Sequence, residues 1–290
     1  DQLVGKMKII RGEEALKKAH RELEVKVEER TSELRITNKD LTDSINYAER
    51  IQSAIFPKMV DIESQFSDAF VIHLPKDIVS GDFYWFHHRN GISYVAVVDC
   101  TGHGVPGAMM SMIGNNLLHH AIVEQQLSDP GKILKSMDSR LNELLKDDAQ
   151  GMAVNDGMDL SICVVNHKSR KLEFAGAQST ALFKQGDKLM QLHGSKFSIG
   201  GFGESSDKYY DTTGMTFSES DQVYMFSDGY QDQFGGKKGK KFYRKNLINL
   251  IESAADRPMK EQQLTILETF VNWKGNEMQM DDVTVMGIRL

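Results

Sequence analysis

The sequence predicts an α+β fold: sheets of hairpin-connected strands with helices packed on their outer faces, preceded by a long helix. Three features predict this class. Strand-like runs are separated by tight turns, helical patterns come in two separate batches, and the N-terminal segment is poor in glycine and proline. Strands and helices that are segregated along the chain are typical of sheets covered by helices. We therefore expect one helical segment over residues 1–56 and one domain over residues 57–290.

The segment before Pro57 is predicted to be a helix that pairs with a second copy of itself. Apolar residues recur every seven positions, as a coiled-coil core position requires; they are Val27, Leu34, Leu41, Ala48 and Ile55. The companion position is polar in its middle, at Arg30, Thr37 and Ser44, which predicts a weakly held seam. We expect a homodimer through residues 14–56; the alternative is an amphipathic helix packed on the body. Pro57 ends the helix, because proline lacks an N–H and crowds the preceding turn.

After Pro57 the pattern changes to strands and further helices. Asn90 and Gly91 accept positive φ, so a hairpin is expected around them. Helices are predicted over 106–124, 130–146, 243–254 and 259–273. The remaining strands are predicted by the segments AFVIHLP, MDLSICVVN, KLEFAGA, TALFKQ, KLMQLH, DQVYMFSDG and DVTVMGIRL. The basic run GGKKGKKFYRK is most simply a solvated loop.

The composition excludes several classes of protein. The 290-residue chain is 40% hydrophobic and carries a net charge of −6, which argues against a nucleic-acid-binding protein, since such proteins show a basic face. Cys100 and Cys163 are too few for a secreted disulfide scaffold. No apolar run approaches the roughly 20 residues of a membrane-spanning helix. We expect a cytoplasmic location. Because the chain begins with Asp1, we also expect a longer protein, whose missing N-terminal part would carry any membrane tether.

Four aspartates share one local pattern, since each lies at an end of an apolar strand. They are Asp82 in VSGDF, Asp99 in VVDCTGHG, Asp228 in FSDGY and Asp281 in QMDDVTV. Any one of them alone is most simply a turn or cap residue. If the strand ends converge, however, the carboxylates would repel one another and be costly to bury unless a cation neutralised them. Oxygen ligands suit Mg²⁺ or Mn²⁺ rather than zinc, and four carboxylates are enough for two ions.

The segments VSGDF, DCTGHGVPGA, FSDG and MDDVTV, in this order, resemble the metal-dependent protein Ser/Thr phosphatases of the PPM (2C-like) class, most of all its bacterial SpoIIE/RsbU-type branch. The resemblance covers residues 54–290. It implies an α-β-β-α sandwich and hydrolysis of phosphoserine or phosphothreonine by a water or hydroxide that bridges two metal ions. It also implies a phosphorylated signalling protein as partner, such as a STAS-type anti-sigma-factor antagonist, and an upstream sensor joined through AERIQSAIFP.

The resemblance implies roles for single residues. Asp99 corresponds to the carboxylate that bridges two Mn²⁺ or Mg²⁺ ions. Cys100, where the family usually has glycine, would contribute its backbone carbonyl. Asp228 and Asp281 correspond to direct ligands of one metal. Asp82 corresponds to a carboxylate near the metals that acts partly through water.

Three neighbouring residues and one rival function complete the expectations. Asp282 is expected to support the ligands without contacting a metal. Asp159 is either a ligand of an optional third ion or a turn carboxylate, and His103 is either a general acid or a residue that holds its turn. The rival function is a catalytically silent dimeric relay that only binds partners. The intact aspartates argue against it, because a degenerate site would have lost ligands.

Overall fold

The computed structural model describes residues 2–145, 156–201 and 207–290, with the backbone alone for residues 2–15 and 19. The chain divides into two compact units, Asp1–Ala48 and Glu49–Leu290. In the described part of the chain, no helix combines the length and the apolar character needed to cross a membrane.

One helix, α1 (Gln2–Ile55), makes up the first unit and enters the second. It ends two residues before Pro57, as the sequence predicts. Its heptad residues are exposed along the first unit, since the side chains of Leu16, Leu23, Val27, Leu34 and Leu41 are all more than half accessible.

The second unit alternates strands and helices. In chain order its elements are α2 (Met59–Glu63), β1 (Asp68–Leu74), β2 (Phe83–Arg89), β3 (Ile92–Cys100), α3 (Gly104–His119), α4 (Pro130–Leu145), β4 (Gly157–Asn166), β5 (Lys171–Ala177), β6 (Thr180–Gln185), β7 (Lys188–His193), β8 (Ile199–Gly200), β9 (Thr213–Thr216), β10 (Gln222–Phe226), α5 (Gly229–Asp232), β11 (Phe234–Gly235), β12 (Lys240–Lys241), α6 (Arg244–Ala254), α7 (Met259–Lys274) and β13 (Val283–Arg289). A π-helical turn, His120–Glu124, follows α3.

The strands form two antiparallel sheets. The first has the order β1-β13-β10-β6-β7, and the second has the order β2-β3-β4-β5-β9, with β8 paired to β4. The hairpin between β2 and β3 turns at Asn90 and Gly91, whose φ values of 54° and 77° are those that the sequence predicts. The short β11–β12 hairpin forms a separate two-stranded sheet.

Three apolar layers hold this unit together. Successive side chains of a strand point to opposite faces, so β3 sends Val95 and Val97 toward the first sheet and Ala96 and Val98 toward α3 and α4. A third layer joins the outer face of the first sheet to α6 and α7. The result is the α-β-β-α sandwich that the resemblance implies, and the expected α+β class is confirmed.

The predicted helices agree with the observed ones to within about two residues at each end. The exception is the helix over 106–124, whose last five residues wind into the π-helical turn. Residue 146, the last of the helix over 130–146, lies outside the described residues. The strand β9 was not expected, because its sequence TGMT is short, contains glycine and pairs only with β5.

Candidate metal centre

The four predicted aspartates lie at one end of the sandwich. Asp82 immediately precedes β2 and Asp99 is the second-last residue of β3, and these two strands are antiparallel neighbours. Asp228 follows β10 by two residues and Asp281 precedes β13 by two residues, and these strands are neighbours in the other sheet. Each sheet therefore supplies two carboxylates, because antiparallel pairing brings the end of one strand beside the start of the next.

The four carboxylates influence one another across the two sheets. Asp99 Oδ2 accepts the backbone N–H of Asp228 at 3.3 Å. Burial raises the pKa of Asp99 well above its usual range, and the charges of Asp82 and Asp228 raise it further. Burial also raises the pKa of Asp228, to which Asp232 and Asp281 add. Asp281 acts on Asp82 in the same sense. These mutual effects on pKa show that the four acids lie near one another at this end of the sandwich.

Asp82 is the member of this cluster that has a buried carboxylate oxygen without a hydrogen-bond partner among the described residues. Its side chain is 2% exposed, and the oxygen without a partner is Oδ2. Burial raises its pKa to about 8, and hydrogen bonds from the hydroxyls of Ser227 and Thr284 only partly oppose this effect. A buried carboxylate is expensive unless it is neutralised or paired with a cation.

Asp99 faces a further acid across the sheet. In the β3–β4 register it lies directly opposite Asp159, an arrangement of like charges that is unfavourable by itself. Burial raises the pKa of Asp159, too. The carboxylate that could serve an optional third ion is therefore adjacent to the cluster.

The backbone carbonyl and the thiol of Cys100 have different surroundings. The thiol is buried in the layer beneath α3 and α4, and burial raises its pKa well above the usual range. A β-carbon at Gly81 would lie 3.3 Å from the carbonyl oxygen of Cys100 and 2.5 Å from that of Gly102. Only glycine permits this close approach, which brings the segment leading into Asp82 against the end of β3.

Asp282 and Asp77 brace the segment that leads into Asp82. The two carboxylate oxygens of Asp282 accept the backbone N–H groups of Lys76 and Gly81, each at 2.7 Å. Asp77 Oδ2 lies 2.7 Å from Nδ1 of His103, the residue before α3. Asp282 therefore fixes a loop rather than standing free, and His103 is tied to that same loop.

The donor set fits a hard divalent cation. Its atoms are carboxylate and carbonyl oxygens, and one buried carboxylate oxygen is left without a partner. Within the described residues, no three His, Cys, Asp or Glu side chains already converge on a single point. Mg²⁺ does not demand this, since it keeps several water ligands and is commonly held by one or two carboxylates.

A cavity of about 50 Å³ lies beside the cluster. Its wall includes Asp99, Asp159 and Asp228 together with Arg244, which the sequence analysis did not single out. Ser227 and Thr284 were also missed, although each lies within three residues of a predicted aspartate. Hydroxyls next to a strand-end carboxylate are the signal that could have found them.

Comparisons with known proteins agree with this architecture. The family model described as Stage II sporulation protein E (SpoIIE) matches residues 90–290. The solved SiaA-PP2C domain of Pseudomonas aeruginosa is 30% identical to this chain, with a TM-score of 0.78, and the match covers 88% of this chain and 98% of that chain. No curated protein sequence matches.

Two further solved structures share the fold at lower identity. The PP2C phosphatase domain of SpoIIE from Bacillus subtilis, with a fragment of its regulatory domain, is 20% identical, has a TM-score of 0.60, and is matched over 77% of this chain and 63% of that chain. The RsbU and RsbW domains of a Mycobacterium tuberculosis protein are 18% identical, with a TM-score of 0.60 and coverage of 77% and 59%.

Proposed function

The chain belongs to the SpoIIE family of PP2C-type serine/threonine phosphatases, and from this premise we propose that it hydrolyses a phosphoserine or phosphothreonine ester on a signalling protein with the help of divalent metal ions. The observation that carries the proposal is the buried, unpartnered Oδ2 of Asp82 within a cluster of four carboxylates. The carboxylates would repel the substrate, which is itself an anion, and bound divalent cations would offset this repulsion.

The proposed ligands of two Mn²⁺ or Mg²⁺ ions are the predicted ones. Asp99, the backbone carbonyl of Cys100, Asp228 and Asp281 would hold the ions, and Asp82 would act partly through water. Asp159 stands beside them for an optional third ion. When bound, such ions lower the pKa of a water molecule and offset charge on phosphoryl oxygens.

The chain's own groups orient the reactants. Ionised carboxylates accept hydrogen bonds only, so Asp99 and Asp228, which line the cavity, would hold an attacking water by its hydrogen atoms. A new P–O bond forms to the water oxygen as the bond to the serine oxygen breaks, and the alkoxide takes up the proton that the water gives up, which yields the serine hydroxyl and inorganic phosphate. Cys100 plays no nucleophilic part, because its buried thiol has a raised pKa.

Metal-dependent hydrolysis of p-nitrophenyl phosphate and of a phosphoserine protein tests this proposal. We expect turnover with Mn²⁺ or Mg²⁺, loss of turnover with EDTA, and a fall of at least about 100-fold in Asp99→Asn. The matched control is Asp187→Asn, the same change at an exposed turn, which should behave as wild type. Full turnover in Asp99→Asn, or none in the wild type, would remove the proposal. A wild type that also binds no Mn²⁺ in calorimetry would instead favour the silent relay.

We further propose that residues 14–56 form a parallel dimer whose packing regulates the phosphatase. Its support is the exposed heptad stripe of α1 and the polar middle of the companion position. Leu34 and Ile36 are both 60% exposed, but only Leu34 lies on the stripe. Leu34→Glu should therefore dissociate the dimer in analytical ultracentrifugation, whereas Ile36→Glu should not. If removing residues 1–48 changes neither oligomeric state nor activity, this idea is wrong.

The proposed substrate is a small phosphorylated protein, such as a STAS-type anti-sigma-factor antagonist. We propose that the reaction takes place in the cytoplasm. Support comes from the likeness of this fold to an RsbU domain found in one chain with an RsbW domain. A phosphorylated STAS protein should be hydrolysed with a higher kcat/KM than a phosphoserine peptide cut from it. Equal values would mean that the folded partner contributes nothing to recognition.

A further inference from the structure

Arg244, the first residue of α6, has two guanidinium nitrogen atoms without a hydrogen-bond partner among the described residues. They are Nε and Nη2, and both atoms are buried. The N–H groups of these two atoms point along one edge of the guanidinium, the edge that binds a carboxylate or phosphate through two parallel hydrogen bonds. Buried donors without a partner are rare in native proteins, so this edge calls for an explanation.

The position of Arg244 provides one. It lines the cavity of about 50 Å³ whose wall also includes the acids Asp99, Asp159 and Asp228. Neutral side chains, among them Gln178 and Gln231, form other parts of that wall. This volume exceeds the space that a single water molecule needs. The guanidinium carbon lies 5.8 Å from the centre of the Phe226 ring, which supports it from one side.

The backbone before Arg244 is held in a costly conformation. Tyr243 has a φ of 67°, in a region that residues with side chains rarely adopt. Two hydrogen bonds keep it there: the N–H of Tyr243 donates to Gln231 O at 2.7 Å, and that of Phe242 donates to Gln233 O at 3.0 Å. Gln178, on the same cavity, has a φ of 51°. Such strain persists only where surrounding structure imposes it, and it concentrates at ligand clamps.

We propose that Arg244 is the residue that binds the phosphoryl group of the substrate, with its Nε–Nη2 edge donating to two phosphate oxygens beside Asp99 and Asp228. This inference rests on the proposed function. The carboxylates of the cavity are acceptors and repel a phosphate, so a cationic donor is needed next to them. Because the edge is closed to water here, binding requires the guanidinium to turn from Phe226 into the cavity. No hydrogen bond at Nε or Nη2 opposes this turn.

The competing explanation is structural. Gln231 Oε1 is also buried and unpartnered and lies in the wall of the same cavity, so pairing between Gln231 and Arg244 would take the place of any ligand. In that case Arg244 would stabilise the start of α6 without touching substrate. The two explanations predict different measurements.

The test compares Arg244→Gln and Arg244→Lys with the control Lys245→Gln, which removes the same charge from the next, exposed residue. With saturating Mn²⁺, Arg244→Gln should lower kcat/KM for p-nitrophenyl phosphate by about 10- to 100-fold and weaken inhibition by inorganic phosphate by a similar factor. Arg244→Lys should recover part of both. Mn²⁺ affinity and melting temperature should stay those of the wild type, and Lys245→Gln should differ from it by less than about twofold.

A measurement on the wild type decides the case where a variant does not fold. The NMR signal of the Arg244 Nε–H, assigned in the wild type by through-bond correlation from the Arg244 backbone, should shift when inorganic phosphate is added. An unmoved signal, or unchanged kcat/KM and phosphate inhibition in Arg244→Gln, would overturn the assignment in favour of the structural role. If the wild type shows no Mn²⁺-dependent turnover, the proposed function fails. The phosphate titration then still decides whether Arg244 binds an anion.

Discussion

Two buried aspartates in the same domain are balanced in opposite ways. Asp138 on α4 is fully buried and lies 3.1 Å from Nζ of Lys208, a residue that is itself almost wholly buried. It also accepts the backbone N–H of Gly200 at 2.9 Å and an N–H of Asn142 at 3.1 Å. Asp82 is equally inaccessible, but one of its oxygens has no partner at all.

The difference between the two aspartates is the presence of a buried counter-ion: Asp138 has one in Lys208. Lys208 gives Asp138 a permanent counter-ion and also donates to the carbonyls of Ser198 and Gly200, which fastens α4 to β8. Around Asp82 the nearest charges are other acids, which raise its pKa after the larger effect of burial. The first site is therefore a structural ion pair, whereas the second is the site where we propose that cations from solution bind.

Breaking the ion pair should have the largest effect on stability. Lys208→Met leaves Asp138 buried without its counter-ion, so we expect the free energy of unfolding to fall by about 3–5 kcal/mol. Urea denaturation measures it, with Lys188→Met at an exposed position of β7 as the control. The double variant Lys208→Met/Asp138→Leu should recover much of the loss, because no buried charge remains. If Lys208→Met proved as stable as Lys188→Met, the Lys208–Asp138 ion pair would not stabilise the fold, which would contradict this account.

Asp82 should show the reverse behaviour in metal-free protein. Its folded-state pKa is raised to about 8, so its contribution to stability is fully present below about pH 4, the unfolded value, and is lost as pH rises toward 8. Asp82→Asn removes this dependence and should stabilise the metal-free protein at pH 8 by about 1–3 kcal/mol relative to wild type.

Urea denaturation in EDTA at pH 5 and pH 8 checks this expectation. The difference between Asp82→Asn and wild type should be small at pH 5 and favour the variant at pH 8. Asp99 and Asp228 also have raised pKa values, so the variant keeps part of the pH slope. A variant that is less stable than wild type at pH 8 would contradict the view that this carboxylate is unbalanced.

The smallest effect should come from a neutral partner of Asp138. Asn142 donates from Nδ2 to the carboxylate and, at 2.7 Å, to the backbone carbonyl of Asp138. Asn142→Ala should cost about 0.5–1.5 kcal/mol, well below the loss of Lys208. Asn249→Ala, on the exposed side of α6, is the control. A cost equal to that of Lys208→Met would show that hydrogen bonding, rather than charge, balances Asp138.

The sequence predicts one of these two sites much better than the other. The Asp82 site is the better predicted one, because Asp82 and Asp99 each show a pattern that is visible in the neighbouring residues: a carboxylate at the end of an apolar strand. Asp138 offers a weaker signal, since it lies between Met137 and Leu141 on the apolar face of its helix, where a carboxylate needs a buried partner. Nothing local identifies that partner, because Lys208 is 70 residues away in the chain.

Arg244 illustrates a second limit of local patterns. It belongs to the basic run GGKKGKKFYRK, and Lys237, Lys238 and Lys240 of that run are exposed, as expected of a solvated loop. The turn at Tyr243, set by hydrogen bonds to α5 and the residue after it, places Arg244 in the wall of the cavity. The layers of the fold follow from strand and helix periodicity, whereas this position depends on tertiary contacts.

Calorimetric titration of Mn²⁺ into the metal-free protein tests the central claim most directly, namely that the strand-end carboxylates are balanced by bound cations. Wild type and Asp187→Asn should each bind two ions per chain and gain about 2.7 kcal/mol of stability per bound ion at a free concentration of 100 times its Kd. Asp99→Asn should lose both the binding and the gain. Absence of binding in the wild type, or equal binding in Asp99→Asn, would contradict the account.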